Sequence, residues 1–199
     1  MTTIEPKTAP RTNARSVRAH DAVLDATREI LNESGLQSAT IDAIAERSGV
    51  SKATIYKHWP SRIAVAAEAF SLALADAIPT ADTGNIVDDL TQQVRNVSGF
   101  YTSPSGRVFV ELIAASVNDA AGSEYLHRYF LDGRKKKVAD IWQRAVDRGE
   151  VDPAADVEMV TDVLFGPMVL RLVTGNAEFD AEQAEKFAKL VLYGLLPTA

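Results

Sequence analysis

The chain has 199 residues, 46% of them apolar, with a formal net charge of −6 and no cysteine. That length carries one compact unit with a substantial core, and the missing cysteines exclude disulfides and thiolate-bound metal. No run of about eighteen uncharged apolar residues occurs, so no membrane span is expected, and a cytoplasmic location fits this composition.

Residues 1–15 are rich in Thr, Pro, Lys and Arg without an apolar run, and read as a flexible tail rather than a signal peptide. From Val17 to Glu33 a helix is expected: Val23, Leu24, Ala26, Thr27, Ile30 and Leu31 form a broad inward stripe that closes at Gly35. The next stretch, 40–59, reads as two short helices joined by a tight turn. Thr40 is a favourable N-cap, followed by Ile41, Ile44 and Ala45 at helical spacing; Ser48 and Gly49 stop the helix, and Val50 plugs the corner. Ser51 caps the second helix. There Ile55 and Trp59 face inward, while Ala53 and Lys57 stand on the opposite side beside Thr54 and Tyr56. A small Ala45 lets two helices cross steeply, so a helix-turn-helix is the economical reading.

Charge placement points the same way. Arg47, Lys52, Lys57 and Arg62 occur within 47–62 with no acid between them, and Arg11, Arg15 and Arg18 lie upstream. Residues 1–62 carry nine basic and seven acidic side chains, whereas 79–199 carry twelve basic and eighteen acidic. A local basic footprint on an acidic chain suits phosphate binding at one end only.

The rest also reads as helices, with strand signals almost absent. Ser61–Ala77 carries Ile63, Ala67, Phe70 and Leu74 at helical spacing, and the loop from Pro79 to Gly84 follows. About five helices complete the chain: Ile86–Phe100, Arg107–Val117, Ser123–Arg148, Pro153–Thr174 and Ala181–Leu195. The long Ser123–Arg148 helix has its stripe through Leu126, Phe130, Val138, Ile141 and Ala145, and the basic run Arg134–Lys137 on it reads as solvated surface balanced by Asp132 and Asp140. The Pro153–Thr174 segment is apolar nearly all round and must be covered on every side, while Pro167 beside Gly166 should bend it. With the final helix it would suit a symmetric four-helix dimer interface, placed on Val160, Leu164, Arg171, Phe187, Leu190, Val191 and Gly194.

The run Val23–Phe70 resembles the N-terminal DNA-binding domain of the tetracycline-repressor (TetR) family, above all in Thr40, Ile44-Ala45, Gly49-Val50-Ser51, Thr54-Ile55-Tyr56, Trp59 and Ser61-Arg62. Trp59 stands where that family usually has Phe, and Arg62 where it usually has Lys; both changes are expected to preserve the chemistry. The resemblance implies an all-α chain of about nine helices. A tail (1–15) would precede a three-helix helix-turn-helix DNA-binding domain (16–78) and a larger helical ligand-binding and dimerisation domain (79–199). It implies a regulator, expected to be a repressor, that binds an inverted-repeat operator as a homodimer and is released by a small molecule.

By position, Thr40 would hold a phosphate at a helix N-terminus. Ser51, Lys52, Ala53, Thr54, Tyr56, Lys57 and His58 would face the major groove or its walls, with Lys52 or Lys57 donating to guanine, Ala53 touching a thymine methyl, and Arg62 taking a further phosphate. Candidate walls for the small molecule are Phe109, Leu112, Ile113, Trp142, Phe165 and Met168. No cofactor or metal is expected. An enzyme is disfavoured: His20, His58 and His127 fall in no His-Glu-x-x-His, and neither a Gly-x-Ser-x-Gly turn nor a glycine-rich phosphate loop occurs. The alternative is a helical partner-binding protein with a vestigial helix-turn-helix, which steep salt dependence of DNA binding would distinguish.

Overall fold

The computed structural model describes residues 14–74, 78–175 and 180–193, and all regular structure among them is helical. In chain order it comprises α1 (Ala14–Ser38), α2 (Ile41–Ser48), α3 (Lys52–His58), α4 (Arg62–Leu74), α5 (Ile86–Tyr101), α6 (Pro104–Ser116), α7 (Ala120–Leu126), one π turn (His127–Leu131), α8 (Asp132–Asp147), α9 (Val157–Thr174) and α10 (Ala181–Tyr193). The segments α7, π turn and α8 follow without a gap, so the single long helix expected over Ser123–Arg148 is interrupted by one wide turn at its middle. Of the tail expected over residues 1–15, residues 14 and 15 already belong to α1, while residues 1–13, the helix end near Ala77 and the interface residue Gly194 lie outside the described residues.

The helix starts are built from the residues that the sequence offers for capping. Thr40 accepts from the Ala43 N–H at 3.1 Å, Asn85 from Asp88 N–H at 2.8 Å, and Asp156 from Glu158 N–H at 2.9 Å. At the far end of the bundle, buried Asp89 accepts from the Thr83 hydroxyl at 2.9 Å and meets Arg148 at 3.5 Å. Arg148 also pairs with Glu150 at 2.8 Å, and Glu150 accepts from the Ile86 N–H at 2.7 Å, which ties the start of α5 to the end of α8.

α4 is the keystone. Every residue from Ile63 to Ser71 is buried, because α1 packs on one side of the helix and α7 on another. Val23, Ile30, Ile44, Ile55 and Trp59 make the core of the first four helices; Leu90, Val94, Phe109, Leu112, Ile141, Leu164 and Met168 make that of the others. Phe70 of α4 joins the two, with its ring stacked on Phe109 at 6.1 Å and 6.2 Å from Phe100. At the α4–α7 crossing a Cβ on Gly122 would come within 2.5 Å of Ile63 Cγ2, so only glycine allows the two backbones this close.

α9 and α10 correct part of the expected interface. Leu164 is fully buried inside its own protomer, as is Met168, because α9 lies on α5 and α8 with that side inward. The open side of α9 carries Met159, Val163, Leu170 and Val173, all exposed, with Leu190 and Tyr193 exposed on α10. Val160, Phe187 and Val191 are half-buried and Arg171 is exposed. On α10, Ala184 and Ala188 permit close approach to α5 of the same chain. Pro167 lies on the exposed side of α9, and the helix continues through it.

Candidate functional site

Two helix starts and one left-handed glycine set the geometry of the α2–α3 pair. Gly49, at φ 68°, terminates α2 in the region that other residues rarely adopt. Ser51 then opens α3 by accepting from the Thr54 N–H at 3.3 Å, with its hydroxyl 2.9 Å from that of Thr54. Ile55 and Trp59 are buried beneath, so Lys52, Ala53, Tyr56 and Lys57 are left exposed on the outer side and Tyr56 retains 55% of its surface.

The basic groups are not equally available. Lys52 forms an ion pair with Asp42 across the turn, Arg47 bonds Glu33 at 2.8 Å, and half-buried Arg62 donates to the Leu36 carbonyl at 3.0 Å. Lys57 has neither hydrogen bond nor ion pair among the described residues. Arg62 thus serves first to cap the end of α1, a structural duty the spacing did not disclose. His58 is half-buried, its ring 5.7 Å from that of His20 and 5.6 Å from that of Trp59. Trp59 also does more than the usual Phe could: its indole N–H donates to buried Glu68 at 2.6 Å, and His20 stacks on it at 4.6 Å while lying 3.4 Å from Glu68. The substitution of Trp for Phe therefore changes the chemistry instead of preserving it.

A cavity of about 690 Å³ opens among α4, α5, α6, α7, the π turn, α8 and α9. Phe109, Ile113 and Phe165 line it, together with Gly166 and Val169. The other three expected wall residues do not. Leu112 and Met168 are turned into the core, and Trp142 packs elsewhere against the cluster with its indole N–H buried and unbonded among the described residues. The π turn brings Tyr129, Phe130 and Leu131 to the wall, which accords with the frequent use of such turns at functional sites.

Several polar wall residues were not anticipated: Tyr101, Ser116, Arg134, Lys135 and Lys137. The basic run is thus not plain surface. Lys137 donates to the Ile78 carbonyl at 2.7 Å and Lys135 lies 3.8 Å from Glu158, while the Arg134 guanidinium carbon stands 5.3 Å over the Phe130 ring. Burial pushes the Arg134 pKa below the usual arginine value, opposed only by Tyr101, and burial raises that of Tyr101. The signal was present in the spacing, since Arg134 falls on the stripe Leu126, Phe130, Val138, Ile141 and not beside it.

Two polar contacts connect the cavity helices to the helix-turn-helix. Glu111 of α6 accepts from the Leu36 N–H at 2.8 Å, just after the bend of α1 at Gly35 (φ 74°). Tyr125 of α7 donates to the His58 carbonyl at 3.1 Å, at the end of α3. The helices that form the cavity wall therefore touch the chain at the end of α1, shortly before α2, and at the end of α3.

Comparison with known proteins places these features in a family. The family model "Bacterial regulatory proteins, tetR family" matches residues 23–69, and "Tetracyclin repressor-like, C-terminal domain" matches residues 80–191. The HTH-type transcriptional regulator YdeS of Bacillus subtilis (strain 168) is 35% identical over 172 residues, covering 86% of this chain and 87% of that protein. The crystal structure of the TetR family transcription regulator SCO0332 is 31% identical, with a TM-score of 0.81 over 90% of this chain and all of that one. The FadR repressor of Thermus thermophilus, solved with lauroyl-CoA, shares the fold at 19% identity, with a TM-score of 0.71 over 90% of this chain and 96% of its own.

Proposed function

This chain belongs to the TetR family of DNA-binding transcriptional regulators, and from that membership we infer that it is a homodimeric repressor released from an inverted-repeat operator by a small molecule. The observation that carries the reading is the outer side of α3, where Lys57 is exposed and without a polar partner among the described residues, beside exposed Ala53 and Tyr56. An exposed cation of this kind would be left idle in a merely structural corner; here, against DNA, it can donate to a guanine edge or neutralise a phosphate. Thr40, at the N-terminus of α2, offers a hydroxyl and backbone N–H groups to a second phosphate. Lys52 contributes after releasing Asp42, Arg62 only with the donors that Leu36 leaves free, and Ser51 and Thr54 at the helix start.

Dimerisation supplies the second recognition helix. The exposed apolar residues of α9 and α10 form the face on which two protomers join, and a twofold pair of α3 helices reads half-sites about one helical turn apart. The cavity supplies control. A molecule that fits only one arrangement of α6 and α7 shifts the population toward it, and the Glu111–Leu36 and Tyr125–His58 contacts carry that shift to α2 and α3. Selection from random duplexes with the purified full chain tests this reading. Palindromic sites bound with steep salt dependence are expected; recovery of no enriched sequence would refute it.

A further inference from the structure

The cavity wall carries a half-buried positive charge for which the described residues supply no counter-charge. Arg134 lines the cavity, and among the described residues it has no hydrogen bond and no carboxylate partner; its guanidinium carbon lies over the face of Phe130 at 5.3 Å. Of the two lysines of the basic run that also line the cavity, Lys137 donates to the Ile78 carbonyl and Lys135 faces Glu158, whereas Arg134 keeps its fork of donors unassigned among the described residues. Asp162 also lines the cavity, but it is exposed and forms no ion pair with Arg134. A charge removed from water and left unpaired is costly, and the cost is recovered when an oxyanion arrives to accept two parallel N–H bonds.

The rest of the wall says what should accompany that oxyanion. Phe109, Phe130, Ile113, Phe165 and Val169 present apolar surface, and the buried Ser116 hydroxyl, which has no partner among the described residues, adds a second polar point. Tyr101, which lines the same cavity as Arg134, has no side-chain hydrogen bond among the described residues either. We propose that the cavity binds an amphiphilic acid whose oxyanion head is held by Arg134 and Tyr101 and whose apolar body lies against Phe109, Phe130 and Phe165. This rests on the reading of the cavity as the effector site and adds the chemical class of the effector. A pocket of this volume suits a molecule of drug-like size with only a few polar groups.

The test is calorimetric titration of the DNA-free full chain with octanoate, octyl phosphate and octanol, and with phenylbutyrate against phenylbutanol. Both anions should bind at least about tenfold more tightly than the alcohol of the same skeleton, as expected for a hydrogen-bonded charge. The preferred anion identifies the head as carboxylate or phosphate. Arg134→Gln should abolish this preference while leaving octanol binding unchanged; Tyr101→Phe should reduce it, and Arg134→Lys should keep part of it if the Gln variant fails to fold by circular dichroism. Equal binding of octanol and octanoate, an unchanged preference in Arg134→Gln, or no binding of any anion overturns the assignment. Operator release is measured separately by fluorescence anisotropy. Anions that bind through Arg134 without displacing DNA leave this assignment standing and refute the regulatory reading, whereas neutral compounds that bind and displace DNA do the reverse.

Discussion

Leu170→Asp should separate the proposed dimer into protomers. Leu170 keeps 64% of its surface exposed in the single chain, on the open side of α9 with Met159, Val163 and Val173. Burying a whole leucine side chain is worth about 1.5–3 kcal/mol, so covering the exposed share contributes about 1–2 kcal/mol per protomer. Twofold symmetry counts it twice, about 2–4 kcal/mol, and at about 1.4 kcal/mol per decade the dissociation constant rises roughly thirty- to several-hundred-fold. Two aspartates brought near the symmetry axis only add to that. Sedimentation velocity over a dilution series reads the constant directly. Leu164→Ala supplies the contrast, since Leu164 is sealed within its own protomer. It should lower the melting temperature, at a cost of about 2–5 kcal/mol, and leave the dimer constant of the folded fraction in place. If Leu170→Asp dimerises as tightly as the parent while Leu164→Ala does not, the assignment of the α9 face is refuted.

Three further outcomes follow. Lys57→Ala should weaken operator binding by about 1–3 kcal/mol with relaxed preference at one base pair, and Arg62→Ala should lower the melting temperature as well as affinity because its guanidinium holds the Leu36 carbonyl; anisotropy and thermal melts separate the two. Trp59→Phe deprives buried Glu68 of its 2.6 Å donor and should cost about 1–3 kcal/mol in denaturant unfolding, with no loss if that bond is dispensable. The hydrogen bond from Arg148 holds the Glu150 carboxyl below its usual pKa, so its contribution to stability is present above the ordinary carboxylate range and is lost as pH falls through the lowered value. Glu150→Gln should accordingly flatten the acid-side decline of melting temperature, an effect that high salt diminishes and that an unchanged profile would rule out.

Local chemistry fixed much of this protein in advance. Thr40, Gly49 and Ser51 each act through backbone groups one turn away or at their own φ, so caps and corner were readable from a few adjacent residues, and the inward turn of Ile55 and Trp59 followed from helical spacing. The all-helical character and the exposed outer side of α3 came from the same short-range regularities.

Other features depended on residues far apart in the chain. That Arg62 is drawn to Leu36, that Lys52 is paired with Asp42, and that Lys57 alone of the three keeps its charge unengaged among the described residues are consequences of how α1, α2 and α4 meet. Periodicity marks a stripe without saying which neighbour covers it; α9 is apolar on several sides, and only its packing on α5 and α8 decided that Leu164 turns inward and Leu170 outward. The cavity is the extreme case. It is the volume that six helices and a π turn fail to fill, so no single segment encodes it, and the placement of Arg134 at its wall became apparent only when those helices were assembled around it.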